Sequence, residues 1–224
     1  MRAGERWLGA VWPVVRGWLP PSPARVLEIG CGPQGGFVPR LNSSGYAAIG
    51  VDPKAPDGVE YRRSRFEQAP LRAEFDVVIA SASLHHVADP VEVIGRIASV
   101  LADKGVVVVV EWAWEDFDEA TARWCFDRLG PDEDAGWLSR RRDDWLASGQ
   151  EWGGYLRGWA EGERLHRSAL LLRLLDQSFD RRHLSRGAYV FPQLAGTSEE
   201  DELAAIVAGE IRATRIDYVG RVRR

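Results

Sequence analysis

The chain has 224 residues, 45% of them hydrophobic and 28% charged, with a formal net charge of −4. That length suits one α/β domain with an insertion and an ample core, and the negative balance gives no general attraction to a phosphate backbone. No apolar run approaches the ~20 residues that span a bilayer, and Cys31 and Cys125 are too few for a disulfide scaffold or a cysteine-based zinc site.

The opening MRAGERWLGAVWPVVRGWLPPSP (1–23) mixes basic and apolar residues as a secretory leader does, but Glu5, Arg6, Pro13 and Arg16 interrupt it. It reads as a helical segment of a mature cytoplasmic protein. ARVLEIG (24–30) is a short buried strand closed by glycine, with a helix expected from about Gly36. AAIGVDP (47–53) is the second strand, ended by Asp52 and Pro53, and a weaker third lies near 59–64. FDVVIAS (75–81) is continuously apolar, as a strand covered on both faces should be. In DPVEVIGRIASVLADKG (89–105), Asp89 is the expected N-cap, Pro90 stands at N1 and Glu92 at N3. Ile94, Ile97, Ala98 and Leu101 make the buried stripe. Gly105 is expected to stop the helix before a fifth strand, VVVVVEW (106–112). Strand and helix alternating in this order predict a doubly wound, Rossmann-like, mostly parallel sheet with right-handed crossovers.

The alternation breaks at Trp112. From there to about Asp180 the chain reads as helical and polar-aromatic, with a Pro-Asp-Glu-Asp turn at 131–134. Seven of the ten tryptophans fall between Trp112 and Trp159, and the other three are Trp7, Trp12 and Trp18. The 163–179 segment is apolar on more than one side and predicts a helix covered by others. Two further strands are expected at 186–194 and 212–222, the second with Ile216, Tyr218 and Val222 on one face. An acidic stretch between them (197–210) begins as a capped helix. The charge run Ser139–Asp144 nearly cancels locally and reads as a solvated face rather than a nucleic-acid patch.

The chemistry points to VLEIGCGPQGGFVPRL (26–41). Gly30, Gly32 and Gly35 fit G-x-G-x-x-G between a strand and a helix, and Asp52 follows Gly32 by twenty residues at the end of the second strand. A carboxylate there can accept hydrogen bonds from both ribose hydroxyls of an adenosine. A merely tight turn explains the glycines but not the acid. Glu28 separates the candidate ligands: a pyrophosphate is repelled by a carboxylate at the loop mouth, and no lysine or arginine stands between Arg25 and Arg40 to neutralise it. An ammonium or a sulfonium is favoured there.

On these residues, and on FDVVIASASLHHVADP (75–90) followed by VLADKGVVVVVEW (100–112), the chain resembles the class I S-adenosylmethionine-dependent methyltransferases that act on small molecules. The likeness covers roughly residues 24–112 and a final strand pair. It implies a seven-stranded sheet, S-adenosyl-L-methionine as cofactor and a lidded pocket. Asp52 then takes the ribose, Phe66 and Glu67 flank the adenine, and Ser81 and Ala82 line the methionine and sulfonium region, with Glu28, Gly30 and Gly32 forming the loop. Two departures from the family pattern are Gln34, where a third glycine is usual and Gly35 or Gly36 must supply the turn, and Arg65, which shifts the adenine assignment by a residue or two.

Methyl transfer from a sulfonium is an in-line displacement in which positioning matters most. His85 and His86, just past the fourth strand, are candidates for a base if the acceptor carries a proton; the alternative is a cap or a cofactor-shaping role. Glu111 and Trp112 also fall near the expected acceptor pocket. The expected organisation is an N-terminal helical segment (1–23) that could join a lid, a cofactor-binding core (24–112), a helical substrate lid (113–180) and a strand pair completing the sheet (181–224). The tryptophans either wall an apolar or aromatic acceptor or glue the helices to the sheet. Tyr155 and His166 are possible polar contacts. No metal-ligand spacing stands out. The partner expected is a small-molecule acceptor, with neither nucleic acid nor membrane, and the oligomeric state is open. The rival readings are an NAD-dependent oxidoreductase and a non-catalytic binding protein on a methyltransferase fold.

Overall fold

Five consecutive valines show how the sheet is built. In the computed structural model, which describes residues 2–71, 74–130 and 136–223, Val106, Val108 and Val110 face one apolar cluster, whereas Val107 and Val109 face another. Side chains alternate along a strand, so such a run is tolerated only where both faces are covered.

In chain order the elements are α1 (Ala3–Gly17), β1 (Arg25–Ile29), α2 (Val38–Ser43), β2 (Ala47–Val51), β3 (Tyr61–Arg62), β4 (Phe75–Ser81), α3 (Pro90–Val100) and β5 (Leu101–Trp112). There follow α4 (Glu119–Phe126), α5 (Trp137–Ser148), α6 (Trp152–Gly162), α7 (Ser168–Ser178), β6 (Phe179–Gly187), α8 (Glu199–Val207) and β7 (Arg215–Val222). The strands form one seven-stranded sheet in the order β3-β2-β1-β4-β5-β7-β6. β1 to β5 run parallel, and β7 is antiparallel to both β5 and β6. Helices α1 and α2 cover one face through Val11, Trp12, Val15, Val38 and Leu41. The other face takes α3 and α7, through Val93, Ile94, Ile97, Leu171 and Leu175. Full burial of an isoleucine such as Ile94 or Ile97 stabilises by about 1.5–3 kcal/mol. Asp89 caps α3 as expected, its Oδ1 accepting from the amides of Val91 (2.8 Å) and Glu92 (3.2 Å). Helices α4, α5 and α6, inserted after β5, enclose a third, aromatic cluster around Trp152, Trp145, Phe117 and Trp112.

Several boundaries differ from the sequence reading, each for a local reason. Helix α2 starts at Val38, because Gly35 and Gly36 both stand at positive φ (+82° and +57°). Helix α3 ends at Val100 rather than at Gly105: Leu101 is already extended and pairs with Phe75, and the register slips before Val77 meets Val106. The strand expected at 186–194 lies earlier, at β6. Beyond it the amides of Tyr189, Val190 and Phe191 go to the Glu202 carboxylate (2.8, 3.2 and 2.6 Å), and Phe191–Gln193 forms a 3-10 turn that Pro192 suits. The helix within 163–179 begins only at Ser168. Trp12 packs under the sheet against Phe37, and Trp18 lies near His183, so of the three N-terminal tryptophans only Trp7 reaches the carboxyl edge of β4. The turn expected at 131–134 lies outside the described residues.

Candidate cofactor and active site

Strand order reverses between β1 and β4, where the loops leaving their carboxyl ends part and leave a crevice. Two cavities of about 520 and 530 Å³ open there and share Gly30 and Ala82 as walls. Ala82 sits at φ +49°, a strained conformation for a residue with a Cβ, and its amide is held by the Val110 carbonyl (2.8 Å).

The first cavity is lined by Glu28, Gln34, Gly36 and Ser81, with Trp7 and Leu8 of α1 forming its outer wall. The Trp7 indole N–H donates to Ser81 Oγ (2.9 Å). Glu28 is buried, and its Oε2 accepts from the Phe37 amide (2.7 Å), which ties the end of the loop back to β1. Gly36 makes that contact possible: a Cβ there would lie 2.2 Å from Glu28 Oε1. Burial pushes the Glu28 carboxyl up to about 8, against the pull of its amide bonds. At that value the group is mostly neutral at pH 7. This revises the expectation of a standing negative charge at the loop mouth.

Gly32 is the open part of the cradle. It stands at φ +65°, no atom lies within 4 Å of where its Cβ would be, and its amide donates to Asp52 Oδ2 (3.1 Å). Asp52 Oδ1 accepts from the Lys54 amide (2.6 Å), so the side chain is fixed at the rim of the second cavity. Phe66, Glu67, Arg65 and His86 line the same cavity. So do Glu163, Arg164 and His166, which arrive from the turn between α6 and α7.

The two histidines are placed differently. His85 is buried and lines neither cavity; its Nδ1 meets Glu111 Oε2 at 2.5 Å. Glu111 Oε1 also accepts from the amides of Ser83 (2.7 Å) and Leu84 (2.5 Å). Burial alone would raise the Glu111 carboxyl, but the charge and hydrogen bond of His85 and the two amides outweigh it and hold it below its ordinary value. His86 lies at the exposed rim on the Asp52 side. Partial desolvation and the neighbouring His85 push it down to about 4, so it is neutral at pH 7.

Trp112 joins this group to the inserted helices. It lies edge-on to His85 (6.2 Å between centroids) and to Trp137 (5.1 Å), and it stacks on Tyr189 at 5.7 Å. Tyr189 also meets Trp7 edge-on (4.9 Å), and burial together with nearby Glu111 pushes its phenol far above the usual range. Sequence reasoning missed Tyr189, because it fell in a segment read as strand, and missed Arg164, which stands in what read as a continuous helix. His166 is pinned by a ring N–H to the Val87 carbonyl (2.8 Å), and the buried Tyr155 hydroxyl has no hydrogen-bond partner among the described residues. In the charge run, Arg141 pairs with Asp144 and Arg142 with Asp143, while the Arg141 guanidinium lies over Trp159. Among the described residues no helix is long and apolar enough to cross a membrane.

Residues 13–178 match the model of a methyltransferase domain family. The chain is a methyltransferase-domain protein. It is 30% identical over 139 residues to a ubiquinone biosynthesis O-methyltransferase of Bradyrhizobium sp. (strain ORS 278), covering 55% of this chain and 52% of the relative. A Rhodopseudomonas palustris (strain HaA2) protein of the same name is 28% identical over the same shares. The chain thus spans about half the length of the curated relatives it matches. Among solved structures, the methyltransferase domain superposes on an S-adenosylmethionine-dependent methyltransferase from Mesorhizobium loti with a TM-score of 0.58, at 22% identity, covering 95% of this chain and 97% of the other. For a SAM-dependent methyltransferase from Methanosarcina mazei the TM-score is 0.56, at 14% identity, with 94% and 97% covered. At those identities the likeness extends to the fold.

Proposed function

We propose that this methyltransferase domain binds S-adenosyl-L-methionine across the Gly30–Ala82 ridge and transfers its methyl group to a small apolar or aromatic acceptor in the cytoplasm. One observation carries the reading: two cavities meet at the switch point of the sheet, one holding Asp52, Phe66 and Glu67, the other Glu28 and Ser81. When bound, S-adenosylmethionine supplies an electrophilic methyl on a sulfonium and departs as S-adenosylhomocysteine. Asp52 accepts from the ribose hydroxyls, Phe66 and Glu67 flank the adenine, and Glu28 receives the ammonium. Gly30 and Gly32 let the backbone approach, and Ser81 and Ala82 line the sulfur side. His85, buried outside both cavities with Glu111 on its Nδ1, positions the segment after β4 and the edge of Trp112 rather than meeting the acceptor as a base. His86, on the adenosine side, shapes the cofactor cavity. Trp7 and Leu8 form the acceptor's apolar wall, with Tyr189 and Trp112 packed behind Trp7 and α4 to α6 as a lid. The names of the curated relatives support oxygen as the methylated atom, and free, buried Cys31 and Cys125 suit a reducing compartment.

Isothermal titration with S-adenosylhomocysteine, S-adenosylmethionine and NAD tests this. Micromolar binding of the two adenosyl-sulfur ligands and none of NAD is expected. Binding of NAD alone, or of none of the three by folded protein, overturns it.

A further inference from the structure

Two residues other than glycine have positive φ among the described residues, and both line the second cavity: Ala82 and Arg164 (φ +58°). Arg164 terminates α6. Its amide donates to the Glu161 carbonyl (3.1 Å) and the Leu165 amide to the Ala160 carbonyl (2.8 Å), the paired bonds of a left-handed helix cap. Glycine is the residue such a cap favours, because a Cβ is strained there. Here an arginine takes the position, with a glycine only two residues earlier at Gly162. Nothing in the cap calls for a guanidinium, and that group makes no hydrogen bond or ion pair among the described residues. The turn that carries it is nonetheless held firmly to the segment after β4. The His166 amide donates to the His85 carbonyl (3.0 Å), its ring to Val87, and the Trp114 indole to the His166 carbonyl (3.1 Å).

We propose that Arg164 is a cofactor-clamping residue supplied by the helical insertion, its planar guanidinium stacking on the adenine in the cavity of Asp52 and Phe66. The inference rests on the proposed cofactor. An adenosine is uncharged and offers no ionic partner, so an arginine beside it acts through its flat, weakly hydrated face. The strain at Arg164 is the cost of placing that face over the cavity mouth, and the pinned turn leaves little ordering to be done when ligand arrives.

The test measures binding of S-adenosylhomocysteine and of 5′-methylthioadenosine, which lacks the amino-acid half, to wild type, Arg164→Ala, Arg164→Lys and Arg164→Gly, together with the unliganded Tm. Arg164→Ala, which keeps the strained backbone, weakens both ligands by roughly tenfold, the scale of one base stack. Arg164→Lys does not recover the loss, and Arg164→Gly raises the Tm while binding both ligands as poorly as Ala. Affinities within about twofold of wild type for Arg164→Ala, full recovery by lysine, or a loss confined to S-adenosylhomocysteine would each overturn the clamp. A wild type that binds neither ligand overturns the function proposed above instead.

Discussion

Glu28 offers a proton that can be counted. Burial raises its carboxyl to about 8, so at pH 7 it is mostly protonated. An ammonium group arriving in the Glu28 cavity favours the ionised form, and the proton must leave as the ligand binds. Titrating S-adenosylhomocysteine at pH 7 in buffers of different ionisation enthalpy should therefore show release of nearly one proton per site. Affinity should climb by up to roughly tenfold per pH unit between about pH 6 and 8, in line with one linked proton. Glu28→Gln keeps an oxygen for the Phe37 amide but cannot ionise; it should bind with the affinity the wild type has at low pH and release nothing. Stability has the opposite trend. Between the ordinary carboxylate value of 4.5 and about 8 the unfolded chain is ionised while the folded chain still holds the proton, so wild-type stability falls as pH rises through that window and Glu28→Gln flattens the fall. Proton release of zero by the wild type, or equal release by Glu28→Gln, would refute the pairing of Glu28 with a ligand cation.

The other predictions concern the groups behind that loop and beside it. Glu111→Gln keeps an acceptor for the Ser83 and Leu84 amides but turns an NH₂ toward His85 Nδ1. It should cost about 1.5–3 kcal/mol in urea unfolding and shift the His85 tautomer in ¹⁵N NMR, whereas Glu111→Ala should cost about 3–5 kcal/mol; equal, small costs for both would remove the positioning role. Because the Glu111 carboxyl is held below its ordinary value, its contribution is full above pH 4.5 and lost as pH falls through the folded value, and Glu111→Gln should lack that part of the acid limb. Gly36→Ala places a Cβ 2.2 Å from Glu28 Oε1 at φ +57°, so a loss of about 1–3 kcal/mol and of S-adenosylhomocysteine affinity is expected, read by thermal unfolding and titration.

How much of this was legible in the sequence follows from how local each cause is. The parallel core was legible because β1, β2, β4 and β5 each carry a short apolar run, with Gly30 and Asp52 closing the first two, and Asp89 and Pro90 mark the start of α3 within three residues. The glycine loop between β1 and α2 was legible for the same reason, although the sequence did not say that Glu28 would be buried deeply enough to keep its proton. That depends on the amide of Phe37 and on the missing Cβ at Gly36, two contacts fixed only when the loop closes. Tyr189 was hidden because its neighbours alternate as a strand would. What decides its conformation is the Glu202 carboxylate, thirteen residues on, which takes the three amides a ladder would have used. Arg164 was hidden more thoroughly. Its significance lies in a backbone angle that no periodicity encodes and in a cavity built mainly from residues about a hundred positions earlier. The residues that sequence missed are those that long-range contacts bring to the crevice from the insertion and the C-terminal segment. A crevice lined by family-pattern loops on the core side and by Trp7, Arg164 and His166 on the other can keep the proposed cofactor contacts while the second wall changes, so acceptor choice is best sought in the segments whose placement the sequence concealed.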